Sequence, residues 1–122
     1  MAAQTILVVD DETMMGEMLV RYLTRTGFQA IHALTGADAL GALKAQRIDA
    51  VLLDITLKDE AGYDVLKQIK AEQPALPVIM LTGLGYDENA MQESLKLGAS
   101  GYLSKSADVS EVKVALGRVL NP

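Results

Sequence analysis

The sequence contains no cysteine. Disulfide bonds, thiolate metal sites and cysteine nucleophiles are therefore excluded. Positive charge is also scarce, since 11 lysines and arginines face 16 aspartates and glutamates and leave a formal charge of −5. Such a surface repels phosphate backbones, so we expect no direct binding of nucleic acid by this chain.

Long apolar runs and a basic N-terminal region are missing as well. No run approaches the ~18 residues that a membrane span requires, and the first apolar run, residues 6–9, stops at Asp10. We therefore expect no membrane segment, no targeting signal and a cytoplasmic location. With 122 residues, half of them hydrophobic, the chain is expected to form one domain, residues 1–122, with a substantial core and no output domain.

Short apolar runs alternate five times with longer amphipathic stretches. The runs predict strands at residues 6–9, 28–33, 50–53, 78–81 and 102–104. After the first run, apolar residues recur at helical spacing, which predicts a helix whose core face contains Met14, Met15, Met18, Leu19, Tyr22 and Leu23. The β-α order predicts an α/β fold, (βα)5, with a parallel sheet covered by helices on both faces.

Four of the predicted strands are followed by residues that can do chemistry. In chain order these are Asp10, Asp11 and Glu12, then Asp54, Thr82 and Lys105. The functional crevice of an open parallel sheet lies beyond the carboxyl ends of its strands, so these side chains are expected to converge there. His32, the sole histidine, is expected to be a partly exposed strand residue without a ligand role.

A cluster of carboxylates indicates a cation site. Carboxylates that lie close together repel, and one of them would take up a proton unless a cation is present. Mg²⁺ suits such a site because it needs few protein oxygens and keeps several waters. Asp11 and Asp54 are the predicted direct ligands, Asp10 is expected to hold a metal-bound water, and the backbone carbonyl of Thr56 is the candidate for completing the site. Aspartate is also common at helix N-termini, but a cap does not explain two adjacent aspartates facing Asp54.

Asp54 is also a candidate nucleophile, since a carboxylate can accept a phosphoryl group and form an aspartyl phosphate. This reaction requires neutralisation of the charge on the equatorial phosphoryl oxygens. Mg²⁺ would supply this from one side and Lys105 from another, while the Thr82 hydroxyl donates to a third oxygen. Asp54 is the predicted acceptor because it lies at the centre of the sheet, between these groups.

Together these segments resemble a response-regulator receiver domain of two-component signalling, similar to the single-domain chemotaxis regulators. The resemblance runs through Asp10-Asp11, Gly62 and residues 51–54, 78–83 and 98–105. It implies a doubly wound, flavodoxin-like sheet with strand order 2-1-3-4-5. It also implies that Asp54 receives its phosphoryl group from a histidine kinase or a histidine phosphotransfer protein, and that Asp10 and Asp11 serve Mg²⁺.

The resemblance further implies a coupled switch, in which Tyr102 turns inward as Thr82 moves toward the phosphoryl group. The expected readout is a downstream protein that binds the face made by the fourth helix, the fifth strand and the fifth helix.

Several positions depart from the family pattern. Ser106 stands where the family usually has proline after the lysine, which puts the position of Lys105 in question, and Leu57-Lys58 stands where the family often has Met-Pro. Thr56 and Leu84 occupy positions that influence hydrolysis of the phosphoryl group in the family. Neither side chain offers a water-activating group, so we expect slow to moderate self-dephosphorylation.

Three other functions stay open. A receiver-like module could act by protein contact without phosphorylation; the missing proline keeps this alternative open, although the three acidic residues and the lysine are present. A small Mg²⁺-dependent phosphatase could use Asp54 as nucleophile, but 13.1 kDa leaves no room for a cap domain. A flavodoxin-like binding module would need a phosphate-cradling loop where Asp10-Asp11 stands. We expect no enzyme beyond a domain that assists its own phosphorylation and dephosphorylation.

Overall fold

The structure is a computed structural model that describes residues 3–83 and 87–121. Within these ranges strands and helices alternate along the chain. The strands are Thr5–Val9 (β1), Gln29–Ala33 (β2), Ala50–Asp54 (β3), Val78–Thr82 (β4) and Gly101–Ser104 (β5). The helices are Thr13–Arg25 (α1), Gly36–Ala45 (α2), Gly62–Glu72 (α3), Glu88–Lys96 (α4) and Val109–Leu120 (α5).

The strands form one parallel sheet in the order β2-β1-β3-β4-β5. The predicted α/β fold, (βα)5 with order 2-1-3-4-5, is confirmed. Every residue of β1, β3 and β4 is buried. Their sequences are continuous apolar runs because helices cover both faces of the sheet, so neither face can carry polar side chains.

Each face of the sheet has its own core, because successive side chains of a strand point to opposite faces. On one face the central strands pack against α2 and α3, through Leu7, Val9, Val51, Leu53, Leu43, Val65, Leu66 and Ile69. On the other face they pack against α1 and α5, through Ile6, Val8, Ala50, Leu52, Leu19, Leu23, Val112 and Leu116. The central strands are therefore clamped between two apolar layers, and only their ends can present polar groups.

Two predicted strands end one residue later than expected, and in both cases the added residue is one of the candidate site residues. Asp54 is the last residue of β3 and pairs with Leu81, and Thr82 is the last residue of β4 and pairs with Ser104. Both side chains are thus carried by the sheet itself and not by a loop, which limits their freedom to move.

The predicted core face of α1 is wrong at one residue. Met14 is 84% exposed, whereas Leu19 and Leu23 are buried and Met15 and Met18 pack beside them. Neighbouring helical residues point about 100° apart, so Met14 and Met15 cannot both face the sheet. The predicted end of the helix is confirmed, since Gly27 follows it with a φ of 102°, a conformation that glycine adopts without strain.

Among the helices in the described part of the chain, none is long and apolar enough to cross a membrane. The prediction that concerns Leu84 lies outside the described residues.

Candidate functional site

The polar side chains predicted to converge lie at the carboxyl edge of the sheet. Asp54 at the end of β3 is 2% exposed, Thr82 at the end of β4 is 5% exposed, and Asp10, one residue beyond β1, is fully buried. Buried carboxylates are costly unless they are paired with positive charge or hydrogen-bond donors. Their position therefore requires a local source of compensation.

Lys105 supplies the compensation. Its ammonium nitrogen lies 2.7 Å from Asp54 Oδ2, 2.9 Å from Asp10 Oδ2 and 2.9 Å from Glu12 Oε1. The Lys105 side chain is 12% exposed, so solvent screens these interactions only weakly. One ammonium group is shared by three carboxylates.

Both buried aspartates are oriented by the same local turn. Asp54 Oδ1 accepts a hydrogen bond from the amide of Thr56 at 3.0 Å, and Asp10 Oδ1 accepts one from the amide of Glu12 at 2.9 Å. In each case the carboxylate bonds the backbone two residues later, as aspartate does in turns. The second oxygen of each carboxylate is thereby directed at Lys105.

The electrostatic balance of the site is negative. Burial raises the pKa of Asp54, and the nearby Asp10 charge adds to this, while the hydrogen bonds from Lys105 and the Thr56 amide only partly offset it. Burial alone would lower the pKa of Lys105, but its hydrogen bonds to Asp54, Glu12 and Asp10 raise it above the ordinary value. The hydrogen bond and the charge of Lys105 lower the pKa of Glu12. Lys105 therefore stays charged, and negative charge remains in excess.

The donor set fits a hard divalent cation. Asp10, Glu12 and Asp54 each offer an oxygen within 4.8 Å of the others, and one ammonium leaves two of the three negative charges uncompensated. Carboxylate oxygens are the ligands that Mg²⁺ and Ca²⁺ prefer. These residues can therefore hold the cation that the sequence analysis expected at this edge.

The loop after β3 folds back over the site, and this requires glycine. Gly62 donates its amide to Ile55 O at 2.7 Å, and Thr56 forms a bridge with Ala61. A Cβ atom on Gly62 would overlap the backbone oxygen of Asp54 and lie 2.6 Å from that of Ile55. Only a residue without a side chain allows α3 to begin this close to Asp54.

Thr82 and Lys105 are joined through the backbone. The amide of Lys105 donates to Thr82 O at 2.7 Å, which continues the β4–β5 ladder beyond the end of β5. The hydroxyls of Ser104 and Ser106 lie 2.7 Å apart, and the Ser106 amide donates to Ser104 Oγ at 3.2 Å. A proline at position 106 has no amide hydrogen and could not make this last bond. Lys105 thus reaches Asp54 although the proline that is usual in the family is absent.

The family model of the response regulator receiver domain matches residues 6–117. The chain belongs to this family. The receiver domain is 37% identical over 116 residues to the probable transcriptional regulatory protein TcrX of Mycobacterium tuberculosis, covering 95% of this chain and 49% of TcrX. It is 32% identical over 120 residues to sporulation initiation phosphotransferase F of Bacillus subtilis, covering 98% of this chain and 96% of that protein.

Solved structures agree with this assignment. The receiver domain resembles the Vibrio cholerae chemotaxis protein CheY4 with a TM-score of 0.92 and 26% identity, covering 98% of this chain and all of that one. The chain spans about half the length of TcrX and nearly all of phosphotransferase F. The prediction that it works without an output domain is not tested by these relatives and stays a prediction.

The structure brings together part of the predicted ligand set. Asp10 and Asp54 belong to the group of three carboxylates, whereas Asp11 is not among the described residues that form it. Asp11 lines a separate cavity of about 160 Å³ with residues that include Leu34 and Lys58. The direct ligand role of Asp11 and that of the Thr56 carbonyl stay predictions.

Sequence reasoning missed two contacts of the receiver domain's site. Glu12 was noted beside the aspartate pair, but nothing predicted its ion pair with Lys105, 93 positions further along the chain. The signal was its place directly after Asp10-Asp11. His32 was assigned no ligand role, and its ring lies 2.7 Å from the backbone oxygen of Asp10.

Tyr102, the second member of the predicted switch, lies in β5 opposite Met80. Its ring packs against the core on the α2–α3 face, and its hydroxyl oxygen is buried. The Tyr102 ring is thus only partly buried, and its further movement inward on activation stays a prediction.

Proposed function

We propose that this receiver domain accepts a phosphoryl group on Asp54 from a histidine kinase or a histidine phosphotransfer protein, with Mg²⁺ at the site. The observation that carries the proposal is the Lys105 ammonium, 2.7 Å from Asp54 Oδ2 at a buried strand end with two further carboxylates beside it. An ammonium held there can stabilise charge on a transferred phosphoryl group.

In the transfer, a carboxylate oxygen of Asp54 forms a bond to phosphorus as the phosphorus–nitrogen bond of the donor phosphohistidine breaks. The donor imidazole leaves with the electron pair of that bond and takes up a proton. The Asp54 oxygen that accepts from Thr56 is already held by that amide. We therefore propose that Oδ2, the Asp54 oxygen that faces Lys105, forms the bond to phosphorus, because the Lys105 ammonium lies next to it.

Asp10 and Asp54 would hold Mg²⁺, with Asp11 and the Thr56 carbonyl as the further proposed ligands. Mg²⁺ held there would supply positive charge to the phosphoryl oxygens during the transfer. Lys105 contributes a second positive charge, and the Thr82 hydroxyl is proposed to donate to a third oxygen.

The output is proposed to be a protein-binding face of α4, β5 and α5. The donation from Thr82 would draw that residue toward the phosphoryl group, and Tyr102 would follow inward. Leu95 on α4 and Val114 on α5 are 46% and 54% exposed, so both helices of this proposed face offer an apolar side chain to a partner. A cytoplasmic location and a role without catalysis on other substrates belong to this proposal.

Intact-mass measurement after incubation with acetyl phosphate tests the acceptor. We expect one added phosphoryl group that depends on Mg²⁺ and disappears in Asp54→Ala. Asp59→Ala is the matched control, because Asp59 is an exposed aspartate of the adjacent loop and should leave the modification unchanged. Modification that persists in Asp54→Ala would show that another residue is the acceptor.

A further inference from the structure

His32 donates a hydrogen bond to the backbone of the cation site. It is the fourth residue of β2, half-buried, and pairs with Val8. Its Nε2 atom lies 2.7 Å from the carbonyl oxygen of Asp10. A carbonyl oxygen can only accept, so Nε2 carries the hydrogen, and the bond forms whether or not the other ring nitrogen is protonated.

Gly16 makes room for this ring. It is a buried residue of α1, one turn after the site. A Cβ atom at position 16 would overlap three atoms of the His32 ring. Any other residue at position 16 would push the ring away from Asp10, so Gly16 and His32 form one arrangement.

Strand β2 holds Asp10 from both sides of its backbone. The Asp10 amide donates to Ala33 O at 3.1 Å, and its carbonyl accepts from His32. The carbonyl of Asp10 and the amide of Asp11 belong to one planar peptide unit. Fixing this carbonyl therefore fixes the direction in which the chain leaves Asp10 and the starting position of Asp11.

We propose that His32 is a positioning residue for the cation site, acting through its hydrogen bond to the Asp10 carbonyl in the space left by Gly16. The inference rests on the proposed function, since it concerns the Mg²⁺ site used there. His32 does not touch the cation or the phosphoryl group. It sets the orientation of the peptide between the two aspartates, and groups that orient metal ligands in this way influence metal affinity.

Titration with Mg²⁺, followed by the amide NMR shifts of residues 10–12 and 54–56, tests the inference without phosphorylation. His32→Leu removes the donor and is expected to raise the half-saturating Mg²⁺ concentration about 10-fold. His32→Gln keeps an N–H donor and is expected to stay within about twofold of the parent. Arg21→Ala is the control, because Arg21 lines the same cavity of about 310 Å³ as His32.

Phosphorylation kinetics provide a second readout. His32→Leu should slow acetyl phosphate transfer at low Mg²⁺ and approach the parent rate at saturating Mg²⁺, because only the affinity is affected. Circular dichroism must show His32→Leu to be folded at low Mg²⁺, because a partly unfolded variant would also recover as Mg²⁺ is added. Gly16→Ala keeps the imidazole but displaces it, so it should weaken Mg²⁺ binding like His32→Leu, even if His32→Leu fails to fold.

The outcomes separate the two proposals. If the parent binds Mg²⁺ and both His32→Leu and Gly16→Ala bind it equally well, the positioning role is overturned and the proposed function is untouched. Weak binding by His32→Gln equal to that of His32→Leu also overturns it, since the donor would then be irrelevant. A parent that binds no Mg²⁺ overturns the proposed function together with this inference.

Discussion

Strand β3 has an aspartate at each end, and the two are treated very differently. Asp49, just before the strand, accepts from the Thr5 amide at 2.8 Å and from Arg47 Nε at 3.2 Å, and the Arg47 side chain is 90% exposed. Asp54, at the other end, is buried and shares Lys105 with two more carboxylates. At the Asp49 end one carboxylate has its own cationic side chain, whereas at the Asp54 end three carboxylates share one ammonium group.

Burial and the sharing of one cation, more than the presence of an ion pair, distinguish the proposed phosphorylation site from the structural contact at Asp49. The Asp49 side chain is 16% exposed, but its partner Arg47 lies in solvent, and an ion pair screened in this way is worth about 0–1 kcal/mol. Buried charges carry a desolvation cost that one ammonium repays only in part when three carboxylates compete for it. The Asp49 end is electrostatically complete, and the Asp54 end is prepared for another cation.

Replacing the positively charged side chain at each end of β3, Lys105 or Arg47, should give the largest difference between the two ends. Lys105→Met is expected to slow phosphorylation of Asp54 by acetyl phosphate at least about 100-fold. It should also lower the free energy of unfolding at neutral pH by about 3–5 kcal/mol, because Asp54 and Asp10 lose their partner. Arg47→Met should change the free energy of unfolding by less than about 1 kcal/mol and leave phosphorylation unchanged. Urea denaturation and intact mass measure both effects, and equal losses in the two variants would contradict the comparison.

The backbone around Asp54 should also tolerate an added methyl group less well than an open position elsewhere in the protein. Gly62→Ala places a methyl group against the backbone of Asp54 and is expected to cost about 1–3 kcal/mol of stability and to slow phosphorylation. Gly41→Ala, in α2, meets nothing within 4 Å and should stabilise the protein by about 0.5–1 kcal/mol. Thermal denaturation compares the two. A neutral effect of Gly62→Ala would mean that the loop over the site is not tightly packed.

The excess of negative charge at the Asp54 end can be reduced directly. At saturating Mg²⁺, where the loss of a candidate ligand does not limit the rate, Glu12→Gln should speed phosphorylation by acetyl phosphate about two- to fivefold, because the anionic donor meets less repulsion at a side chain that is 66% exposed. The gain should shrink as salt is added. Glu17→Gln is the control, because Glu17 is an exposed glutamate on α1, five residues further along the chain. A slower Glu12→Gln would show instead that Glu12 holds Lys105 in its productive position.

The smallest expected effect is a pH dependence of stability in metal-free buffer. Burial raises the pKa of Asp54 in the folded state, so the folded protein binds more protons than the unfolded chain between the two pKa values. This contribution to stability is complete below the unfolded pKa of 3.8 and is lost as pH rises through the folded pKa. Asp54→Asn cannot titrate there, so its stability relative to the parent should increase with pH in urea denaturation. If the stability of Asp54→Asn relative to the parent instead decreased with pH, the pKa of Asp54 would be lowered in the folded state, and burial would not be the dominant effect.

Much of the site followed from the sequence because the sheet imposes it. A parallel sheet brings the carboxyl ends of all its strands to one edge, so the apolar runs were enough to place Asp10, Asp54, Thr82 and Lys105 together. The order β2-β1-β3-β4-β5 came from the family resemblance, since right-handed crossovers leave several orders possible.

Other features depend on angles that sequence periodicity does not contain. Whether Met14 or Met15 faces the sheet depends on the rotation of α1 about its own axis. The helix begins at Thr13 and is rotated so that Met14 is exposed. In this orientation of α1, Glu12 at its N-terminus reaches Lys105, and Gly16 lies against the ring of His32. These contacts join residues far apart in the chain and require the packed structure.

The hydrogen bond from the Lys105 amide to Thr82 O joins the backbones of the two residues that are proposed to contact the phosphoryl group. A displacement of Thr82 on activation would therefore be expected to move the backbone of Lys105 through this bond, without any side chain in between. The two groups should therefore report activation as a single event, with Thr82 and Lys105 amide signals shifting at the same degree of phosphorylation.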